Sequence, residues 1–146
     1  MTSRLAHLGI AVQTLDGAEN LYNRLGLAVS ERVAFPRESL RLGFISLGEV
    51  AIELLEPDDP QSSLARFLST RGPGVHHLAF EVPDIEQALA RARQAGMRQV
   101  GEGPRAGAHG TRVVFIHPAS AHGVLVELVQ IAHHQSGGKG EPPVGP

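Results

Sequence analysis

The apolar positions change period along the chain, and each change marks an element. Leu5 to Val12 is a short apolar run of strand type. Thr14 to Gly17 turns the chain into a stretch where Ala18, Leu21, Tyr22 and Leu25 fall at i, i+3, i+4 and i+7, the stripe of an amphipathic helix. Gly26 ends it, as a residue free to take positive φ does at a helix terminus. Leu27 to Phe35 reads as a strand, Pro36 to Ser39 as a loop, Leu40 to Ile45 as a second strand, Gly48 as its turn and Glu49 to Leu55 as a third. The order is βαβββ. Asp58 to Pro60 then breaks the pattern, Ser62 to Thr70 predicts a short helix with Leu64, Phe67 and Leu68 on one face, and Arg71 to Gly74 reads as a linker.

The same order follows a second time. His77 to Val82 is a strand, and Asp84 with Gln87 three residues on is a capping-box arrangement for a helix with Ile85, Ala88, Leu89 and Ala92 inward. Gly96 stops that helix. Met97 to Val100 begins a strand, Gly101 to Gly110 reads as a long glycine-rich loop, and Arg112 to His117 and Val124 to Ile131 are strands around a turn at Pro118 to Gly123. Two words repeat in register. His7 and His77 head equivalent strands, with Gly26 and Gly96 each 19 residues further on. Val50-Ala51-Ile52-Glu53-Leu54-Leu55 is echoed by Val124-Leu125-Val126-Glu127-Leu128-Val129. Such an internal repeat decides the fold class: α+β, two tandem βαβββ modules forming a curved sheet around a cleft. Residues 1–132 are expected to form a single domain, with module one at 4–57, the connecting helix and linker at 58–74 and module two at 75–132. Residues 133–146, rich in Gly and Pro, are expected to be a disordered tail.

Composition narrows the function classes. The chain has 146 residues, 42% of them hydrophobic, and a net charge of −2, which argues against a dedicated nucleic-acid partner. With no cysteine, disulfides, thiolate metal sites and a cysteine nucleophile are excluded. No apolar run approaches the ~20 residues of a membrane span, so a cytoplasmic protein with no membrane partner is expected.

Chemistry concentrates where the repeats coincide. Side chains alternate between the faces of a strand, so a histidine heading one strand and a glutamate in another can share one concavity. Duplication supplies that pair twice, as His7, Glu53, His77 and Glu127. Imidazole with carboxylate suits a divalent ion such as Zn²⁺, Co²⁺, Ni²⁺ or Mn²⁺. A lone histidine is more often a hydrogen-bonded core residue, and the alternation also allows the glutamates to lie on the solvated face of a sheet. Against that, a carboxylate inside an apolar run costs several kcal/mol to bury without a cation or strong donors. His76 should point to the face opposite His77 and pack or support. His109, His117 and His122 read as structural, although His117 is placed to approach the mouth of the site. His133 and His134 belong to the tail.

These residues resemble the vicinal oxygen chelate superfamily and, within it, the methylmalonyl-CoA epimerase family. The resemblance rests on Gly74-Val75-His76-His77-Leu78-Ala79-Phe80-Glu81-Val82, on Gly107-Ala108-His109-Gly110-Thr111 with Val114-Phe115-Ile116-His117-Pro118, on Gly123 to Leu128, and on Ile52 to Pro57. It covers residues 4–131. It implies a divalent metal ion held by His7, Glu53, His77 and Glu127, an acyl-CoA substrate and a homodimer. The implied reaction inverts the α-carbon of methylmalonyl-CoA, for which Glu53 and Glu127, from opposite modules, are the candidate acid–base pair; His117 or a metal-bound water is the substitute. Two departures stand out. Leu42 occupies the place of one member's proposed catalytic glutamate, and the usual His-Pro-Lys-Ser turn is His117-Pro118-Ala119-Ser120, without its lysine. Arg71, Arg105 and Arg112 are candidates to meet the phosphates of coenzyme A. The rival readings are a glyoxalase I-like isomerase, an extradiol dioxygenase, and a metal-free drug-sequestering protein. The last is disfavoured by an inventory of five Phe, one Tyr and no Trp.

Overall fold

The computed structural model describes residues 3–132; the tail expected at 133–146, with His133 and His134, lies outside the described residues. Module one runs β1 (Arg4–Ala11), α1 (Leu15–Arg24), β2 (Glu31–Phe35), β3 (Leu40–Leu47) and β4 (Val50–Pro57). The connecting helix is α2 (Ser63–Arg71). Module two runs β5 (Gly74–Glu81), α3 (Ile85–Gln94), β6 (Gln99–Ala106), β7 (Arg112–Ile116) and β8 (Val126–Gln130). One sheet holds all eight strands in the order β2-β3-β4-β1-β5-β8-β7-β6. In each module the first strand lies parallel to the last, and the two first strands, β1 and β5, pair antiparallel at the centre. The repeat in the sequence is therefore a near-twofold in the sheet.

Local chemistry sets the helices where the periodicity predicts them. Thr14 caps α1 by accepting from the Gly17 amide, Ser62 caps α2 from Ala65, and Asp84 caps α3 from Gln87, each satisfying an otherwise orphaned amide. Gly26 and Gly96 take φ of 80° and 74° just past the ends of α1 and α3. The strands divide their side chains between two faces. On the convex face, Ile45 and Leu54 pack with Leu15 of α1, and Val114 packs with Ile85 and Leu89 of α3. On the concave face, Leu42 and Leu55 pack with Leu64 and Leu68 of α2, while Ala79, Val113 and Val129 form a smaller cluster.

Three segments differ from the sequence reading. Leu27 to Ser30 is not strand: Leu27 and Val29 turn into the convex core, and pairing starts only at Glu31. Residues 101–106, expected as loop, continue β6. As the edge strand it tolerates Gly101, Gly103 and Pro104 through an irregularity between the pairs Val100↔Phe115 and Arg105↔Val113. The expected strand Val124 to Ile131 is trimmed to Val126–Gln130.

The sheet curls strongly enough that its two edges meet over the concave face. Glu31 of β2 lies 2.9 Å from His109, and Glu38 lies 3.3 Å from Arg105 of β6. Among the described residues, no helix is long and apolar enough to cross a membrane.

Candidate metal centre and acyl cavity

The concave face encloses a cavity of about 560 Å³ lined from both modules. Its walls are mainly apolar, with Leu42, Phe44, Leu55, Val113 and Phe115 among them; the charged lining falls into Glu31, Glu38, Arg105 and His109 of the seam and a separate cluster on the inner strands. In that cluster the structure brings all four sequence-predicted ligands together. Glu127 Oε2 lies 2.9 Å from His77 Nε2 and 3.0 Å from His7 Nε2, and the two Nε2 atoms are 3.0 Å apart. Glu53 joins from the other side, its Oε2 3.3 Å from His7 Nε2.

Strand register explains the convergence. Glu53 lies opposite Gly9 on β4, and His77 lies opposite the same glycine on β5. A Cβ at position 9 would stand 2.1 Å from Cε1 and 2.3 Å from Nδ1 of His77, so the ring occupies space that only glycine leaves open. His77 and Glu127 are buried and His7 nearly so. Phe115 meets the His77 ring edge to face at 5.8 Å.

The electrostatics separate the two carboxylates. Burial alone pushes Glu127 up, but hydrogen bonds and positive charge from His7 and His77 outweigh it and hold the group at about 2. Burial raises Glu53, and the attraction of His7 only partly offsets it. His7 is itself raised: burial opposes its charge, while the hydrogen bond to Glu127 and the charges of Glu53 and Glu127 favour it. Neither carboxylate has a lysine or arginine partner among the described residues. Three donor atoms lying within 4.8 Å of one another, two imidazole nitrogens and a carboxylate oxygen, with a second buried carboxylate beside them, fit a divalent cation by donor type and by charge.

Three histidines sit differently from expectation. His76 does not face away from His77. The pairing Gly9↔His77 is followed by Ile10↔Val75, leaving His76 as the extra residue of a β-bulge, and both imidazoles turn to the cavity. His76 Nδ1 is 2.9 Å from His77 Nδ1, and burial followed by the neighbouring His77 lowers its pKa to about 4. His109 lines the cavity, meets the Phe44 ring at a tilt of 56° with centroids 4.9 Å apart, and pairs with Glu31; its left-handed backbone (φ 55°) turns the chain there. His117 does not line the cavity. Its Nδ1 accepts from the Ala119 amide at 3.0 Å and its Nε2 meets Arg98, so it is spent on its own turn and is no substitute base. Of the three arginines, only Arg105 lines the cavity; Arg71 lies over Phe67, and Arg112 pairs with Glu86 at 2.6 Å. The bulge was the feature that the sequence reading lacked: strict alternation sends His76 and His77 to opposite faces, and the only hint was a second histidine next to the first.

Comparison with known proteins places this geometry. Residues 6–115 match the family model of the Glyoxalase/Bleomycin resistance protein/Dioxygenase superfamily. The chain is 42% identical over 134 residues to the ethylmalonyl-CoA/methylmalonyl-CoA epimerase of Cereibacter sphaeroides, covering 90% of this chain and 100% of that one. It is 40% identical over 129 residues to the mitochondrial methylmalonyl-CoA epimerase of Homo sapiens, covering 87% and 73%. A solved structure of a Streptomyces coelicolor methylmalonyl-CoA epimerase variant in complex with 2-nitronate-propionyl-CoA superposes with a TM-score of 0.84 at 34% identity, covering 89% of this chain and 95% of that one.

Proposed function

Since the chain belongs to the glyoxalase/bleomycin resistance protein/dioxygenase superfamily, we propose that it interconverts (2R)- and (2S)-methylmalonyl-CoA by removing and returning the α-proton. The observation that carries this reading is the His7–His77–Glu127 cluster set into the wall of a mainly apolar cavity. The choice of acyl-CoA is supported by the names of the relatives. An α-proton between a thioester and a carboxylate becomes labile when the charge left behind is stabilised, and the cluster offers that stabilisation within a mainly apolar cavity.

His7, His77 and Glu127, with Glu53 beside them, would hold a divalent ion such as Co²⁺, Mn²⁺, Zn²⁺ or Ni²⁺. Once bound, it supplies Lewis-acid stabilisation of negative charge on the substrate's oxygens. The protein's own groups do the rest. Glu127 has one oxygen, Oε2, within 3.0 Å of both imidazoles. Among the described residues Glu53 has one ion-pair partner, His7 at 3.3 Å, and is the carboxylate freer to turn toward an α-proton. The two remain the proposed acid–base pair from opposite modules, with Glu53 the more available member and Glu127 the more firmly held. Leu42, buried in the cavity wall, offers no carboxylate there, so the proposal assigns the proton transfer to Glu53 and Glu127.

The test follows α-proton exchange by NMR in D₂O with methylmalonyl-CoA, comparing metal-stripped protein with protein reloaded with Co²⁺. Deuterium should enter only in the reloaded sample; no exchange with any metal on folded protein overturns the reading. Glu53→Gln should slow wash-in by about 10²-fold or more, and Glu127→Gln should in addition weaken metal binding. Full exchange in both variants removes them from the chemistry. A homodimer is proposed from the family resemblance and a cytoplasmic setting from the lack of an apolar run of membrane-spanning length in the sequence; sedimentation at the mass of one chain overturns the first, and recovery outside the cytoplasmic fraction the second.

A further inference from the structure

We propose that His76 is a positioning residue for the metal-binding imidazole of His77: its Nδ1 accepts a hydrogen bond from Nδ1–H of His77, 2.9 Å away, and so keeps the His77 Nε2 lone pair aimed at the cluster. This rests on the reading of His77 as a metal ligand. A neutral imidazole has one proton, and if Nε2 is to ligate, that proton must sit on Nδ1 and needs an acceptor behind it. A single N–H···N bond between the rings then makes His76 Nδ1 the acceptor and leaves the His76 proton on Nε2.

The two modules show that the arrangement is particular to one of them. Each first strand carries an irregularity at the residue before its histidine. The register of β1 with β5 skips Ala6 between Leu5 and His7, and it skips His76 between His77 and Val75. A bulge turns two successive side chains to one face, so whatever residue stands there faces the cluster, and Ala6 and His76 both line the cavity. In module one that residue is alanine, and His7 has no side-chain partner behind its ring among the described residues; its contacts run through Nε2. In module two the residue is a second imidazole. His76 is itself braced: its ring meets Phe67 of α2 edge to face at 4.9 Å, and Arg71 covers Phe67 at 5.5 Å. Gly9 below and Phe115 beside complete the seat of His77. One ligand is therefore fixed from behind while the other is left to adjust.

Ala6 also supplies the control, since it shows that alanine is compatible with a bulge at this place in the fold. His76→Ala keeps the bulge and removes the acceptor. In His76→Asn, Oδ1 stands roughly where Nδ1 stood and still accepts. Titration of the full chain with Zn²⁺ and with Co²⁺ should show affinity about 10- to 100-fold weaker in His76→Ala, the usual effect of removing a ligand's supporting partner, and largely recovered in His76→Asn. In the Zn²⁺-loaded wild type, ¹⁵N NMR should show a protonated His77 Nδ1 with coupling across the bond to His76 Nδ1, and in His76→Ala that proton should exchange rapidly with water. Wild-type protein that binds neither ion overturns the metal reading and this proposal with it. Metal-binding wild type with an unprotonated His77 Nδ1, or unchanged affinity in His76→Ala, or an Asn variant as weak as the Ala variant, overturns the positioning role alone.

Discussion

Gly9 shows how much of the site depends on a side chain that is missing. The His77 ring lies against the backbone of β1, with its Cε1 only 2.1 Å from where a Cβ at position 9 would be. The ring cannot yield easily, because it is buried and held by Glu127, His76 and Phe115. Gly9→Ala is therefore expected to act on the site more than on the fold. Overpacking of this kind costs about 1–3 kcal/mol, read as a lower midpoint in urea, and displacement of the ring should weaken Co²⁺ binding by at least tenfold. Gly43→Ala is the comparison: a Cβ there finds its nearest neighbour, in Leu15, at 3.4 Å, so metal affinity should hold. Equal loss of metal in the two variants would show that His77 is not seated by Gly9.

At the scale of elements, capping and alternation account for most of the architecture. Thr14 accepts from the Gly17 amide at 3.1 Å, and Asp84 from Gln87 at 3.0 Å. Thr14→Ala should lower stability by about 1 kcal/mol with proton exchange unchanged, since α1 packs on the convex face, away from the cavity. Loss of activity in step with loss of the cap would show that α1 reaches the site. These caps were legible because an N-cap is a local event: the residue, the amide it serves and the apolar stripe lie within one turn. The convergence of four candidate residues was legible for a related reason. His7, Glu53, His77 and Glu127 each sit at a position fixed by strand alternation, and the repeat marked them twice. What sequence could not yield depended on partners distant in the chain. Whether residues 101–106 are loop or edge strand is decided by β7, which accepts an irregular neighbour despite Gly101 and Pro104. Which way His76 points is decided by a register slip against β1. His117 looked available for chemistry until Arg98 and the Ala119 amide were found to occupy both its nitrogens.

The molecule as a whole is a sheet whose edges meet over the cavity, and the residues at that seam line it. Glu31 and Glu38 come from module one, His109 and Arg105 from module two, and their pairs at 2.9 and 3.3 Å are the polar links across the mouth. Arg105, His109 and Glu31 are about half exposed and Glu38 partly so, and each pair contributes only about 0–1 kcal/mol to stability. Their weight is in binding. An acyl-CoA carries its negative phosphates outside any cavity that receives the acyl group, and Arg105 is the one arginine or lysine among the described residues that lines this cavity. The guanidinium is shared with Glu38, so the two substitutions should move the Michaelis constant for methylmalonyl-CoA in opposite directions. Arg105→Ala should raise KM severalfold with kcat little changed, as expected when a contact made equally in the ground and transition states is lost. Glu38→Gln should lower KM by freeing the guanidinium. Both shifts should shrink at high ionic strength, because exposed charges more than a Debye length apart are screened, and that length falls to about 3 Å at 1 M salt. Arg112→Ala is the control, its side chain paired with Glu86 away from the cavity. Steady-state kinetics on the metal-loaded chain at two salt concentrations decides the matter: parallel effects of Arg105→Ala and Arg112→Ala would mean that net charge, and not the seam, steers the substrate.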